Sequence, residues 1–348
     1  MKSGIERIGY FLITFLVSLI ALGLENMGNG ITTSYFSRFF GVYAVYRLTM
    51  ALFIFYSLLA IFVSCSDEET SKELQKGFFK MKILIILVLI IIFAFIPNGF
   101  FDGFSKFAIF SSVFFLLLSI IYFIDFGYSW NENWVSRGED KYLVAVVVCA
   151  VIMYVGGIIG IVYLWNKYSC SLNIVQFIVV IILAAISLFL TLVAEHGAIL
   201  PAAVVFIYHV SLLYGAMANY TDATCNPNFG KSEFASEIVS ALWALLALSY
   251  TSVSVSSSSS KDINLGGEEE DEEVTYNYLV FNLTMALAAC YIPMLFTDWT
   301  QKNSATLSIS AGSVSYWVKI VMGIITALGF LWTIIGPVLF PNMDFDYV

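Results

Sequence analysis

The sequence predicts an all-α, polytopic membrane protein with about ten transmembrane helices, and two observations carry that prediction. Of 348 residues, 60% are hydrophobic and only 12% are charged, about half the charged share of a soluble domain. Apolar stretches suited to the roughly 30 Å hydrocarbon core also recur from one end of the chain to the other.

Taken in order, the spans fall near residues 5–24, 41–63, 83–96, 104–124, 142–165, 172–193, 198–217, 235–255, 276–297 and 316–340. The first carries Glu6 and Arg7, and the third is short for a span. Residues 1–24 also read as a signal peptide, because Lys2 and Arg7 precede an apolar run that ends in Ala21, Leu22 and Gly23; cleavage there removes one helix and leaves the orientation of the rest. The fourth span runs without proline into IDFGYSWNENWV, residues 124–135. Gly156 and Gly160 in the fifth, with Gly157 beside them, are spaced for close approach of another helix within the protein. Between the eighth and ninth, Ser256 to Ser260, Gly266-Gly267 and the acidic run Glu268 to Glu273 compose a loop at 256–273 that cannot bury a core. It reads as a disordered solvated linker, with a regulatory segment as the alternative.

Orientation follows the loop cations. Lys2, Arg7, Lys72, Lys76, Lys80, Lys82, Arg137, Lys141 and Lys261 fall on the side of the N-terminus; Arg38, Lys106, Lys167, Lys231, Lys302 and Lys319 fall on the other. The excess places both termini in the cytoplasm. The loop sequon Asn219-Tyr220-Thr221 then lies outside and is a glycosylation candidate. Asn282-Leu283-Thr284 is buried in a span. Cys170 and Cys225 also lie outside, where a disulfide persists, so they are read as a pair, with two free thiols as the alternative.

Few residues carry the chemistry of an enzyme. Asp125-Phe126-Gly127 spells a kinase triplet without a phosphate loop, a catalytic loop or a soluble lobe, and is a chance match. His196 and His209 have no second metal-type ligand at helical spacing, and no aspartate cluster suits Mg²⁺. No catalytic residue, metal or cofactor is expected.

Charges at membrane depth are more telling, since each costs on the order of 2.5–3.5 kcal/mol at mid-span. Arg47 lies about two turns into the second span. Snorkelling and buried pairing both suit it. Asp125 ends the fourth. Continued as a helix, that span puts Asp125, Ser129, Glu132 and Ser136 along one line and Phe123, Trp130 and Trp134 opposite. A helix from Phe104 to Gly138 is about 52 Å long, so it must tilt steeply or project beyond the bilayer, carrying a polar stripe with tryptophans as interfacial anchors.

DFGYSWNENW resembles the signature of the serine incorporator (Serinc) family. Five further stretches match in order: GVYAVYRLTMALFIF from Gly41, QKGFFKMKI from Gln75 with FIPNGFF from Phe95, YGAMANYTDATCNPN from Tyr214, VTYNYLVFNL from Val274, and SYWVKIVMGIITALGFLWTIIGPVL from Ser315. The family's cysteine-rich N-terminal segment is missing, and the outer loops after the first span and after Asn228 are short. The resemblance implies one integral-membrane domain over residues 1–348, built as two helical subdomains crossed by a long diagonal helix, here the helix from Phe104. It further implies either an ATP-independent, lipid-binding phospholipid scramblase or an adaptor supplying serine for phosphatidylserine and sphingolipid synthesis; some members restrict retroviral infectivity.

On the scramblase reading, the expected lipid-groove residues are Asp125, Ser129 and Glu132 at the cytoplasmic mouth and Arg47, Asn219 and Lys319 toward the outer side. Trp130 and Trp134 would anchor the helix. Membrane phospholipids are then the expected partners and nucleic acid is not; lipid-synthesising enzymes and a second copy of the chain also remain compatible. The plasma membrane and the endomembrane system (ER and Golgi) stay open.

Overall fold

The computed structural model describes residues 3–28, 40–194, 197–227, 239, 242, 243, 246, 250, 278–297 and 307–340. The expected span at 235–255 lies almost wholly outside the described residues, as do the acidic loop at 256–273 and His196. Ten helices are delimited: α1 (Ser3–Gly28), α2 (Val42–Cys65), α3 (Glu68–Lys76), α4 (Phe79–Phe95), α5 (Asn98–Val135), α6 (Asp140–Lys167), α7 (Ser171–Val193), α8 (Ile199–Ala218), α9 (Tyr278–Phe296) and α10 (Leu307–Leu339). Among the described residues seven helices are long and apolar enough to cross a membrane. An eighth span arises if α3 and α4, bent by 70° between them, are taken together. The protein is therefore all-α and multi-pass.

The described helices fall into two compact units, whose boundary cuts α5 between Phe115 and Leu116. Unit 1 holds α1 to α4, the start of α5, and α9; unit 2 holds the rest of α5, α6 to α8, and α10 from Ser308.

In unit 1, α2 and α9 form the centre. Tyr56, Ala51 and Leu52 of α2, and Phe281, Met285 and Ala289 of α9, are fully enclosed. α4 is apolar on every side beyond its first turn, and Leu84, Leu87 and Ile91 are exposed, as expected of a helix whose surroundings are lipid rather than water.

The short polar helix α3 was not foreseen. Asp67 caps its N-terminus by accepting from the Thr70 hydroxyl and amide, which holds its carboxyl below the usual carboxylate range. With the folded-state value depressed, this contribution to stability is present at neutral pH and is lost as pH falls through that value. α3 is fixed to the bundle by Gln75, which exchanges amide hydrogen bonds with Asn282 of α9 at 3.0 and 3.5 Å. Lys82, counted above among loop cations, is instead buried in α4, its ammonium donating to the Tyr10 hydroxyl at 2.6 Å and the Gln75 carbonyl at 2.8 Å.

In unit 2, α8 is the buried centre. Its Phe206, Val210 and Leu213 join Ile161 of α6, Phe177 of α7 and Tyr316 of α10 in one core. The close approach of α6 to α8 is made by Gly157 and Gly160, where an added Cβ would meet Phe206 and Val210. Gly156 meets no described residue, so Gly160 of the expected pair makes the approach with Gly157 in place of Gly156.

α5 has 38 residues, about 57 Å at 1.5 Å each. It starts six residues earlier than expected, directly after Pro97, and ends at Val135 rather than Gly138. The Gly138 amide closes back on the Val135 carbonyl at 3.1 Å, and Gly138 adopts φ 66°, a left-handed conformation suited to glycine.

Candidate functional site

Between α5 and α10, within unit 2, lies a cleft of about 420 Å³. Leu117, Ile120, Ile121, Ile124, Asp125 and Tyr128 form its α5 wall, and Ile325, Gly329 and Thr333 its α10 wall. Helical periodicity explains both walls. On α5 the lining residues recur three or four apart, and on α10 four apart, so each helix turns one continuous stripe inward. The opposite side of α5 is occupied, since Phe123 packs on Tyr208 and Trp243 with ring centres 4.4 and 5.3 Å away.

The cleft is apolar along most of its length and polar at one end. From Leu117 to Tyr128 is about 17 Å along the helix, with aliphatic side chains over the first two turns. Asp125, Tyr128 and Thr333 gather at the end nearer Val135. The Tyr128 and Thr333 hydroxyls share a hydrogen bond of 2.9 Å, joining the walls there, and the Tyr128 ring lies 6.2 Å from that of Phe330. Midway, Gly329 keeps the passage open: a Cβ would sit 3.4 Å from Ile124 Cδ1. An apolar trough with a polar end has the chemical profile of an amphiphile.

Of the residues expected in a lipid groove, only Asp125 lines this cleft. Ser129 and Glu132 follow one and two turns further along α5, half-buried and exposed respectively. Trp130 and Trp134 are half-buried and pack on a cluster of Val146 and Ala150 from α6 with Leu200 and Ala203 from α8, so they hold the end of α5 against its own unit. Their rings meet edge to face at 5.5 Å.

Arg47 is in unit 1 and deeply buried. Its guanidinium donates to the carbonyls of Phe93 and Ile96, both at 3.1 Å, and to Asn98 Oδ1 at 2.6 Å, while stacking over the Phe101 ring. It thus binds the carbonyl-rich C-terminus of α4 to the start of α5. Of its two sequence readings, buried pairing is the one the structure bears.

Asn219 and Lys319 lie at the other end of unit 2. Asn219 is the C-terminal cap of α8, and the Lys319 ammonium donates to the Gly215 carbonyl of α8 at 3.2 Å. Cys170 and Cys225 are joined in a disulfide beside them. There Asn173 accepts from the Tyr316 hydroxyl at 3.0 Å and donates to the Tyr168 carbonyl at 2.9 Å, and Asn226 donates to the Ala218 and Tyr220 carbonyls.

Tyr128, Gly329 and Thr333 were missed. Each lies inside a stretch quoted above, but only the pairing of α5 with α10 gives them a common purpose.

This architecture defines a polytopic helical membrane protein. The serine incorporator (Serinc) family model matches residues 1–270 and 264–343, and the chain belongs to that family. It is similar to a probable serine incorporator of Dictyostelium discoideum, 28% identical over 99% of this chain and 96% of that one. Similarity extends to a probable serine incorporator of Nematostella vectensis, 27% identical over 88% and 81% of the two chains, and to serine incorporator 3 of Bos taurus, 26% identical over 87% and 80%.

Proposed function

We propose that the protein is a lipid-binding, ATP-independent phospholipid scramblase. The observation that carries this reading is the cleft between α5 and α10, apolar for about two turns and ending at Asp125, Tyr128 and Thr333. A headgroup crosses hydrocarbon slowly because its charges lose their water. A trough that seats an acyl chain and offers polar groups at its end lowers that barrier at one membrane face. Movement is downhill and needs no catalytic centre. Both termini in the cytoplasm put the Asp125 end of the cleft on the cytoplasmic side, with Ser129 and Glu132 continuing the polar path outward.

A second reading, supported by the names of the relatives, is an adaptor that brings serine to lipid-synthesising enzymes. It requires a partner enzyme, whereas a scramblase works as pure protein.

The deciding experiment reconstitutes purified protein in liposomes carrying a fluorescent phospholipid and adds an impermeant quencher. Rapid loss of the protected half of the signal, slowed by Asp125→Ala/Glu132→Ala at equal incorporation, is expected. Loss no faster than in empty liposomes, with folded protein verified, would rule the scramblase out in favour of the adaptor.

A further inference from the structure

Resting on the lipid-binding reading, we infer that the cleft selects phospholipids whose headgroup carries a primary ammonium. The inference comes from the kind of polar atoms that converge at its end. Among the described residues Asp125 is the only acidic one of the lining, and no described lysine, arginine or histidine lines it. A phosphate placed there would find no cationic donor among the described residues, and a neutral glycerol headgroup would bring no positive charge to the carboxylate. An ammonium would find a carboxylate and two hydroxyl oxygens.

Geometry narrows the choice. Asp125 and Tyr128 are three residues apart on α5 and so share a face, while Thr333 reaches the same point from α10 through its 2.9 Å bond to Tyr128. That bond uses one proton and one lone pair, so both hydroxyl oxygens retain acceptor capacity. A carboxylate offers about four lone-pair sites, enough to hold an intramolecular partner and a ligand together. A primary ammonium has three N–H donors to match three acceptor groups, and its bonds to a carboxylate are charge-assisted. A trimethylated ammonium keeps the charge and has no N–H to give.

The same ammonium occurs on free amino acids such as serine. The aliphatic wall formed by Leu117, Ile120, Ile121 and Ile325 commits the site to the lipid, because a free amino acid leaves that surface uncovered.

The test measures lipid binding to the purified full-length protein in detergent, by titration with diacyl phosphatidylethanolamine, phosphatidylcholine and phosphatidylglycerol of identical chains. Phosphatidylethanolamine is expected to bind about tenfold more tightly than the other two, equivalent to about 1.4 kcal/mol. Asp125→Asn should reduce the preference to about twofold or less, and Thr333→Val should reduce it part-way. Excess L-serine should not displace phosphatidylethanolamine. Equal binding of all three lipids by the wild-type protein would overturn the assignment without recourse to any variant. So would a preference that survives Asp125→Asn, or displacement by serine. Failure of the transport reading is separable: no scrambling with the headgroup preference intact would remove the activity and keep the site, whereas scrambling without preference would remove this assignment alone.

Discussion

Arg47 in unit 1 and Asp125 in unit 2 are both charged residues at membrane depth, and the structure treats them in opposite ways. Arg47 is enclosed, with two backbone carbonyls and an asparagine around it and an aromatic ring beneath. Asp125 is half-buried and borders a cleft. Hydropathy alone makes the two equally suspicious. What separates them is the space beside each: a charge packed on all sides by its own chain organises the fold, and one facing a cavity is, on the proposed reading, positioned for a ligand.

Mutations can break that comparison, and the largest effect is expected at Arg47. Arg47→Ala strands the Phe93 and Ile96 carbonyls and should destabilise unit 1 by about 3 kcal/mol, measured as a fall in the detergent melting transition. Arg47→Lys should recover only part of this, because an ammonium cannot reproduce the guanidinium fork. Scrambling per folded molecule should not change. If Arg47→Ala were stable yet unable to scramble, the division of roles would be reversed.

Removing the disulfide with Cys170→Ser/Cys225→Ser should cost about 2–4 kcal/mol. Its signature is a lowered transition that no longer responds to reductant. Asn282→Leu breaks the amide pair with Gln75 that holds α3, and about 1 kcal/mol is expected, together with faster amide exchange in α3 and none in unit 2. Least disruptive is Tyr128→Phe. Losing its bond to Thr333 should cost about 0.6 kcal/mol, the average for such pairs between membrane helices, so any larger fall in lipid binding belongs to the cleft and not to the fold.

The spans were readable because apolar length is a local property, and the amphipathic end of α5 because helical period alone puts Asp125 opposite Phe123 and Trp130. The span at 235–255 falls almost wholly outside the described residues. α3 escaped notice since nine residues with a single apolar member, Leu74, make no apolar signal, and its attachment depends on Gln75 meeting Asn282, a partner 207 positions away. The cleft was hidden for the same reason: Tyr128 and Thr333 are 205 residues apart. Arg47 exposed the limit most clearly, since the carbonyls that receive it belong to another helix.

Whether the cleft is the path taken by lipid is tested most directly by filling it. Gly329→Leu projects a side chain toward Ile124, and Gly156→Leu, where an added Cβ meets nothing, supplies a control of identical chemistry. In matched liposomes Gly329→Leu should slow scrambling about tenfold, equivalent to about 1.4 kcal/mol in the barrier, with Gly156→Leu at the wild-type rate. Equal, undiminished rates for both variants would contradict the account, because lipid would then be crossing elsewhere.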